Sequence, residues 1–260
     1  GQAIDPLNRN AVIAPVIVSD DGVTWKRAAA NSSFTNLNDL TYAQSRYASV
    51  GDSGRIFTSA DATTWTQRTS GTSNQLNAVT ASPTLFVAVG ASGTILTSPD
   101  ANTWTSRTNS STNALRGAAY GRSRYVAVGD NGTVLNSADG TTWSTSTSGT
   151  TSQLLNVSFF DNVGFLAAGA SGTMLNSTDG VTWQVVETGV ADTIYSVAQT
   201  PVGYLAPAGT AGTMLMSLDG INWSIGSSAA DRPIRGIAAS TAAIIAVGDT
   251  GAVLSYDLVD

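Results

Sequence analysis

The chain reads as short apolar segments separated by polar turns, and the pattern is cleanest over residues 76–110. Residues 76–81 are apolar and bounded by polar positions, and residues 85–90 are rich in β-branched and aromatic side chains, so both predict strands. Gly90-Ala91-Ser92-Gly93 predicts a tight reversal, its paired glycines supplying the positive φ that hairpin turns need. Residues 94–98 predict a third strand. A box, Ser98-Pro99-Asp100-Ala101-Asn102-Thr103-Trp104, follows it, and residues 104–108 alternate as a polar fourth strand.

This unit recurs along the whole chain. Trp25, Trp65, Trp104, Trp143, Trp183 and Trp223 are all the tryptophans present, spaced by 40, 39, 39, 40 and 40 residues. Four short antiparallel strands in a period near 40 make one blade of a β-propeller. The paired glycines recur as Gly51/Gly54, Gly90/Gly93, Gly129/Gly132, Gly169/Gly172, Gly209/Gly212 and Gly248/Gly251. Five complete blades are expected over residues 37–228. The C-terminal end offers three further strands over residues 234–257, and the N-terminal end a third-strand-like segment, residues 16–19, with a fourth strand from Trp25. Joining these terminal strands closes the ring and removes open sheet edges. Residues 253–255 also read as a third strand, so six blades leave one strand surplus and seven leave three missing. The expectation is an all-β, six-bladed propeller of four-stranded antiparallel blades, with seven as the alternative, in a single domain over residues 1–260.

Composition narrows the function classes. Charged residues are 12% of the chain, about half the ~25% usual for soluble domains. Serine, threonine, asparagine and glycine take their place on the surface. A net charge of −6 would repel nucleic acid and anionic membranes, so neither is expected as a partner. Cysteine is absent, which leaves no disulfide framework to read. No stretch approaches ~18 apolar residues, so membrane insertion is not expected. The first residues lack the basic-then-apolar layout of a signal peptide; if the protein is secreted, that signal is already gone.

The box carries a resemblance. Ser137-Ala138-Asp139-Gly140-Thr141-Thr142-Trp143 is similar to the Asp-box, the bacterial neuraminidase repeat, in a form one residue shorter than Ser-x-Asp-x-Gly-x-Thr-Trp. The longer repeat over residues 126–143 resembles those of sialidase-like propellers and of the photosystem II assembly-factor group. The resemblance implies a propeller whose boxes lie at the blade periphery, away from the ligand face, in a family that holds glycosidases, lectins and assembly factors. Read from the residues alone, the box is a fold device: the Asp carboxylate accepts amides of its own turn, the Ser hydroxyl closes the other side and the Trp ring roofs the hairpin. Ala62 and Ala101 in place of glycine, and Asn222 in place of threonine, agree with that.

Catalytic chemistry finds few candidates. Without histidine or cysteine, the commonest general base and the thiolate are absent, and no cofactor is expected. A sialidase would need an arginine cluster, a Tyr/Glu nucleophile pair and an acid Asp, yet Glu187 is the only glutamate and reads as a solvated charge on an outer strand. Most aspartates fall in boxes or in hairpin turns (Asp52, Asp130, Asp249). Asp20 and Asp21 lack the spacing of a calcium loop, so no metal site is assigned. Positions that vary between repeats are more informative. After the leading Leu or Ile of each first strand stand Asn38, Asn77, Arg116, Leu155, Tyr195 and Arg235. Asn38, Asn77, Arg116, Tyr195 and Arg235 are the expected ligand-binding set on the channel face, Arg116 and Arg235 making it locally positive; the alternative is that they only plug and solvate the channel. Arg27, Arg68 and Arg107 form either a second patch or a charged rim on the outer strands. The expected function is a noncatalytic module of a bacterial extracellular or cell-surface protein, either alone or as one domain of a longer chain, that binds glycan or a protein partner. A glycoside hydrolase or lyase of sialidase-like descent, and an assembly factor, are the alternatives.

Overall fold

The computed structural model describes residues 36–209, 212–227, 232–240, 243–249 and 253–257, with residues 3–4, 12–13, 16–19, 24 and 26–28. Trp25, Asp20, Asp21 and Gly251 lie outside the described residues. The fold is an all-β, six-bladed propeller, five of whose sheets have four antiparallel strands. Two compact units are distinguished, residues 1–115 with 140–142, and residues 116–139 with 143–260.

The first unit opens with two short pairs, β1 (Ala3–Ile4) with β2 (Val12–Ile13), and β3 (Ile17–Val18) with β4 (Lys26–Arg27). The β3–β4 pair matches the third and fourth strands read from the sequence; the β1–β2 hairpin was not foreseen. The first blade holds β5 (Leu37–Ala43), β6 (Arg46–Gly51), β7 (Ile56–Ser59) and β8 (Thr66–Arg68). The second holds β9 (Leu76–Ala81), β10 (Phe86–Gly90), β11 (Ile95–Ser98) and β12 (Thr105–Arg107). Strands β7, β10 and β11 are buried along their whole length, which is why they show no alternation of apolar and polar positions. Val50 and Ile56 of one sheet pack with Leu76, Val79, Ala88 and Leu96 of the next, so the core lies between consecutive sheets.

The second unit carries the third blade, β13 (Leu115–Gly121), β14 (Arg124–Gly129), β15 (Val134–Ser137) and β16 (Ser144–Ser146), with Leu115 itself in the first unit. The fourth blade is β17 (Leu154–Phe160), β18 (Gly164–Gly169), β19 (Met174–Ser177) and β20 (Gln184–Val186). The fifth is β21 (Ala198–Thr200), β22 (Gly203–Ala208), β23 (Thr213–Ser217) and β24 (Ser224–Ser227), and the sixth sheet is β25 (Ile234–Ala239), β26 (Ala243–Gly248) and β27 (Val253–Asp257). Val126, Val128, Leu154, Phe165 and Leu175 fill one intersheet core; Leu166, Met174, Ile194, Tyr204 and Leu215 fill the next.

The hairpin glycines differ from expectation. Gly51, Gly90 and Gly129 are extended, with φ of −166°, −167° and −170°. In these turns positive φ falls instead on the middle residue and on the second glycine, as at Ser92 (55°) and Gly93 (69°), whereas in the fifth blade both Gly209 and Gly212 take φ +69° as expected. The first glycine is required by close approach: a Cβ on Gly90 would stand 2.1 Å from the Gln75 carbonyl oxygen, on the strand entry of the same blade.

The box turns are built as read. Asp61 Oδ1 accepts the Thr63 and Thr64 amides at 2.8 and 2.7 Å and the Ser59 hydroxyl at 2.9 Å, while Trp65 Nε1 donates to the Ala62 carbonyl at 2.8 Å. Asp100 and Asp219 repeat the arrangement. These bonds favour the ionised form and hold Asp61 and Asp219 well below the usual carboxylate range, and Asp100 at about 2.

Candidate functional site

The first strands bring Asn38, Asn77, Arg116 and Arg235 to the same register position, and each side chain then finds its own partner. Asn38 Nδ2 donates to the Leu76 carbonyl at 2.8 Å, and Asn77 Nδ2 to the Leu115 carbonyl at 2.7 Å. These amides tie the start of one first strand to the start of the next. Arg116 donates from Nε and Nη2 to the two carboxylate oxygens of Asp130, at 2.8 and 3.1 Å. Arg235 does the same to Asp249, at 2.9 and 2.7 Å. Its guanidinium also lies over the Tyr195 ring, 4.3 Å from the centroid, in cation–π geometry.

The two arginines are therefore not free positive charges. Each is matched by an aspartate from the hairpin of its own blade, 14 residues on. The bidentate bonds hold the Asp130 and Asp249 carboxyls below their ordinary range and push both guanidinium groups further up. Asp52, the hairpin residue of the first blade, accepts Asn38 Nδ2 at 3.4 Å in the same relation. Where the hairpin residue is Ala91 or Ala170, the first strand carries Asn77 or Leu155 and no ion pair forms. Two glutamines complete the belt: Gln75 donates to Asp52 at 2.8 Å and Gln153 to Asp130 at 2.7 Å, each from the blade that follows. Asp52, Asp130 and Asp249, read from sequence as turn residues, are thus partners of the candidate set. The signal that could have found them is the joint change of first-strand and hairpin residue from repeat to repeat.

Tyr195 lies ahead of its strand and not on it. β21 begins at Ala198, and Ile194 makes only an isolated bridge to Ala208. The reason is Pro207, the fifth of the six residues of β22, which has no N–H to give to the neighbouring strand. The rung opposite Pro207 is lost, the Tyr195 amide still reaches its carbonyl at 3.2 Å, and the buried Ser196 hydroxyl is left without a partner.

Asp39 was not singled out in the sequence. Its carboxylate accepts the Leu40 and Val79 amides, both at 2.8 Å, linking β5 to β9. Burial outweighs these bonds and pushes its pKa up to about 6. Below an unfolded value of 3.8, and above about 6, both states carry the same protonation; between them the folded state binds the extra proton, so stability falls as pH rises. The box aspartates act oppositely, contributing stability above the unfolded value and losing it as pH falls toward about 2. The denaturation midpoint is expected to peak near pH ~4–5. Urea titrations across pH check this, and Asp39→Asn should flatten the upper limb while leaving the acid limb.

The outer arginines are engaged within their sheets: Arg68 Nε donates to Thr58 Oγ1 and Arg107 Nε to Thr97 Oγ1, each at 2.8 Å. Glu187, just beyond β20, is exposed.

No family model matches the chain, and no curated protein matches it in sequence. Solved structures do match in fold. A structure of YCF48 bound to D1 peptide is similar over 95% of this chain and 87% of its own, at 18% identity and a TM-score of 0.75. YCF48 from Cyanidioschyzon merolae is similar over 92% and 86%, at 17% identity and a TM-score of 0.69. Virginiamycin B lyase from Staphylococcus aureus is similar over 85% and 84%, at 9% identity and a TM-score of 0.73. At such identities the likeness is one of propeller architecture.

Proposed function

We propose that the chain is a noncatalytic module that binds a protein or peptide partner on its channel face. The observation that carries this reading is the fixing of the arginines. Arg116 and Arg235 are each oriented by two hydrogen bonds to aspartate, and Arg235 is stacked on Tyr195, yet both side chains stay partly exposed. An arginine held this way loses little rotamer freedom when it meets a ligand. Because the aspartates cancel the charges, such a site selects by hydrogen-bond geometry, and the neutral carbonyls of an extended peptide suit it better than a free anion. The YCF48 structure with a D1 peptide supports peptide binding by this architecture. The stacked Tyr195 and Arg235 also suit a sugar face, so a glycan is the second reading. Placement outside the cell belongs to the same proposal and rests on the Ser/Thr/Asn-rich surface.

Arrays of immobilised extended peptides test it. The intact chain should select a defined sequence set, and Arg116→Ala/Arg235→Ala should weaken that binding by roughly tenfold or more. Both ion pairs are solvent-screened and add little to stability, so the variant should stay folded. Unchanged selection by the variant would move the site elsewhere. Turnover of chromogenic glycosides by the purified protein would overturn the noncatalytic reading.

A further inference from the structure

The outer rim of the fifth blade departs from its sister blades in a consistent direction. Third-strand positions Thr58, Thr97, Asn136 and Asn176 correspond to Met216; box positions Ala60, Pro99, Ala138 and Thr178 to Leu218; and Gln67, Ser106, Thr145 and Val185 to Ile225. Leu218 is 86% exposed, Ile225 58%, Ile221 55% and Met216 45%. In the first two blades, the Arg68–Thr58 and Arg107–Thr97 bonds set a cation on the outer strand, a common guard against strand addition. In the fifth blade that clasp becomes Gly226 and Met216, and β24 reads Ser-Ile-Gly-Ser, without charge or proline. Among the described residues, β24 is the last strand of its sheet.

Two grooves flank this edge. One of about 510 Å³ is lined by Val202, Leu205, Met216 and Leu218; another of about 350 Å³ is lined by Val185, Glu187, Ile221 and Trp223. Asn222 lines both. The stretch of chain that carries this blade is acidic: between Arg124 and Arg232 the sequence holds eight carboxylates and no lysine or arginine. Glu187 and Asp219 stand at the grooves themselves.

We propose that the rim of the fifth blade is a second docking surface, separate from the channel face, which takes an extended, alternating basic–apolar segment of a partner protein as a fifth strand against β24. Backbone pairing supplies the register, the grooves accept alternate apolar side chains, and lysine or arginine on the segment meets the acidic surroundings. A second copy of this chain is disfavoured as occupant, since it would bring the same acidic rim against itself.

The probe is a fluorescent alternating lysine–valine peptide of about six residues, a usual strand length, titrated into the intact chain and read by anisotropy. Saturable binding that weakens with salt is expected, with no binding by the glutamate–valine counterpart or by a peptide N-methylated at alternate residues. Met216→Thr/Gly226→Arg rebuilds the clasp of the first blades, and removing the methionine clears the Cε that a Cβ on Gly226 would meet at 2.7 Å. This double variant should weaken the lysine–valine peptide by roughly tenfold or more, as should the surface change Leu218→Ser, which leaves the fold intact. Equal binding of the two charge types, tight binding of the N-methylated peptide, or affinity unchanged by Leu218→Ser and the double variant overturns the proposal. So does concentration-dependent self-association of the free chain that either variant abolishes, which would assign the rim to a second copy.

Discussion

Replacing Gly93 by alanine is expected to destabilise the protein by about 3 kcal/mol. Two independent penalties meet there. Gly93 has φ +69°, a left-handed conformation that costs an alanine about 1–2 kcal/mol. A Cβ would also stand 2.0 Å from the Ser111 carbonyl oxygen, where real Cβ contacts do not occur. That oxygen belongs to the backbone, so relief requires the segment leading to the next blade to move, at a further cost of about 1–3 kcal/mol. The melting temperature should fall by roughly 6–12 °C, read by circular dichroism against the parent. Gly71 is the control, having φ +77° and nothing within 4 Å of an added Cβ. Gly71→Ala should lose only the conformational part, ~1 kcal/mol. Equal losses at the two sites would show that close approach is irrelevant to the hairpin.

Trp143→Ala is the second large effect, with an expected loss of ~3–5 kcal/mol. Trp143 is 8% exposed, as are its counterparts Trp65 and Trp183 to within one per cent. At those counterparts the ring meets an aromatic of the second strand: Trp65 lies 6.3 Å from Tyr47 and Trp183 6.4 Å from Phe165. Truncation removes a large apolar surface and leaves a void beside a turn whose short, polar serine and aspartate side chains cannot fill it. Denaturant titration of the variant measures the loss, and an unshifted midpoint would mean that the ring only decorates the turn.

What could be read beforehand depended on distance along the chain. The blades, the box turns and the tryptophan burial follow from patterns within one hairpin, where strand period and turn residues decide the outcome. At Gly51 and Gly90 the first hairpin glycine was misread because the obstacle to its side chain, the Asn36 or Gln75 carbonyl, lies fifteen residues earlier. Asp130 and Asp249 looked sufficient as turn residues, and only the folded sheet puts a first-strand arginine within reach of each. Tyr195 was placed on a strand because it follows Ile194 as its counterparts follow the leading Leu or Ile of their repeats; the residue that removes it, Pro207, belongs to the next strand. The apolar rim of the fifth blade was visible as residue types, but the loss of the arginine clasp shows only when Met216 and Gly226 are seen to stand where Thr58 and Arg68 stand in the first blade.

Pro207 also bears on orientation. A chain built of near-copies poses an addressing problem, since a partner that fits one copy fits its sisters, and a pose drawn from equivalents carries no direction. One missing amide breaks the degeneracy. Residues 195–197 leave the ladder, Tyr195 turns to Arg235 of the following repeat, and among the described residues this junction differs from its sisters. Symmetry supplies the scaffold its economy of design; the departure from symmetry is what lets a ligand know which way round it has bound.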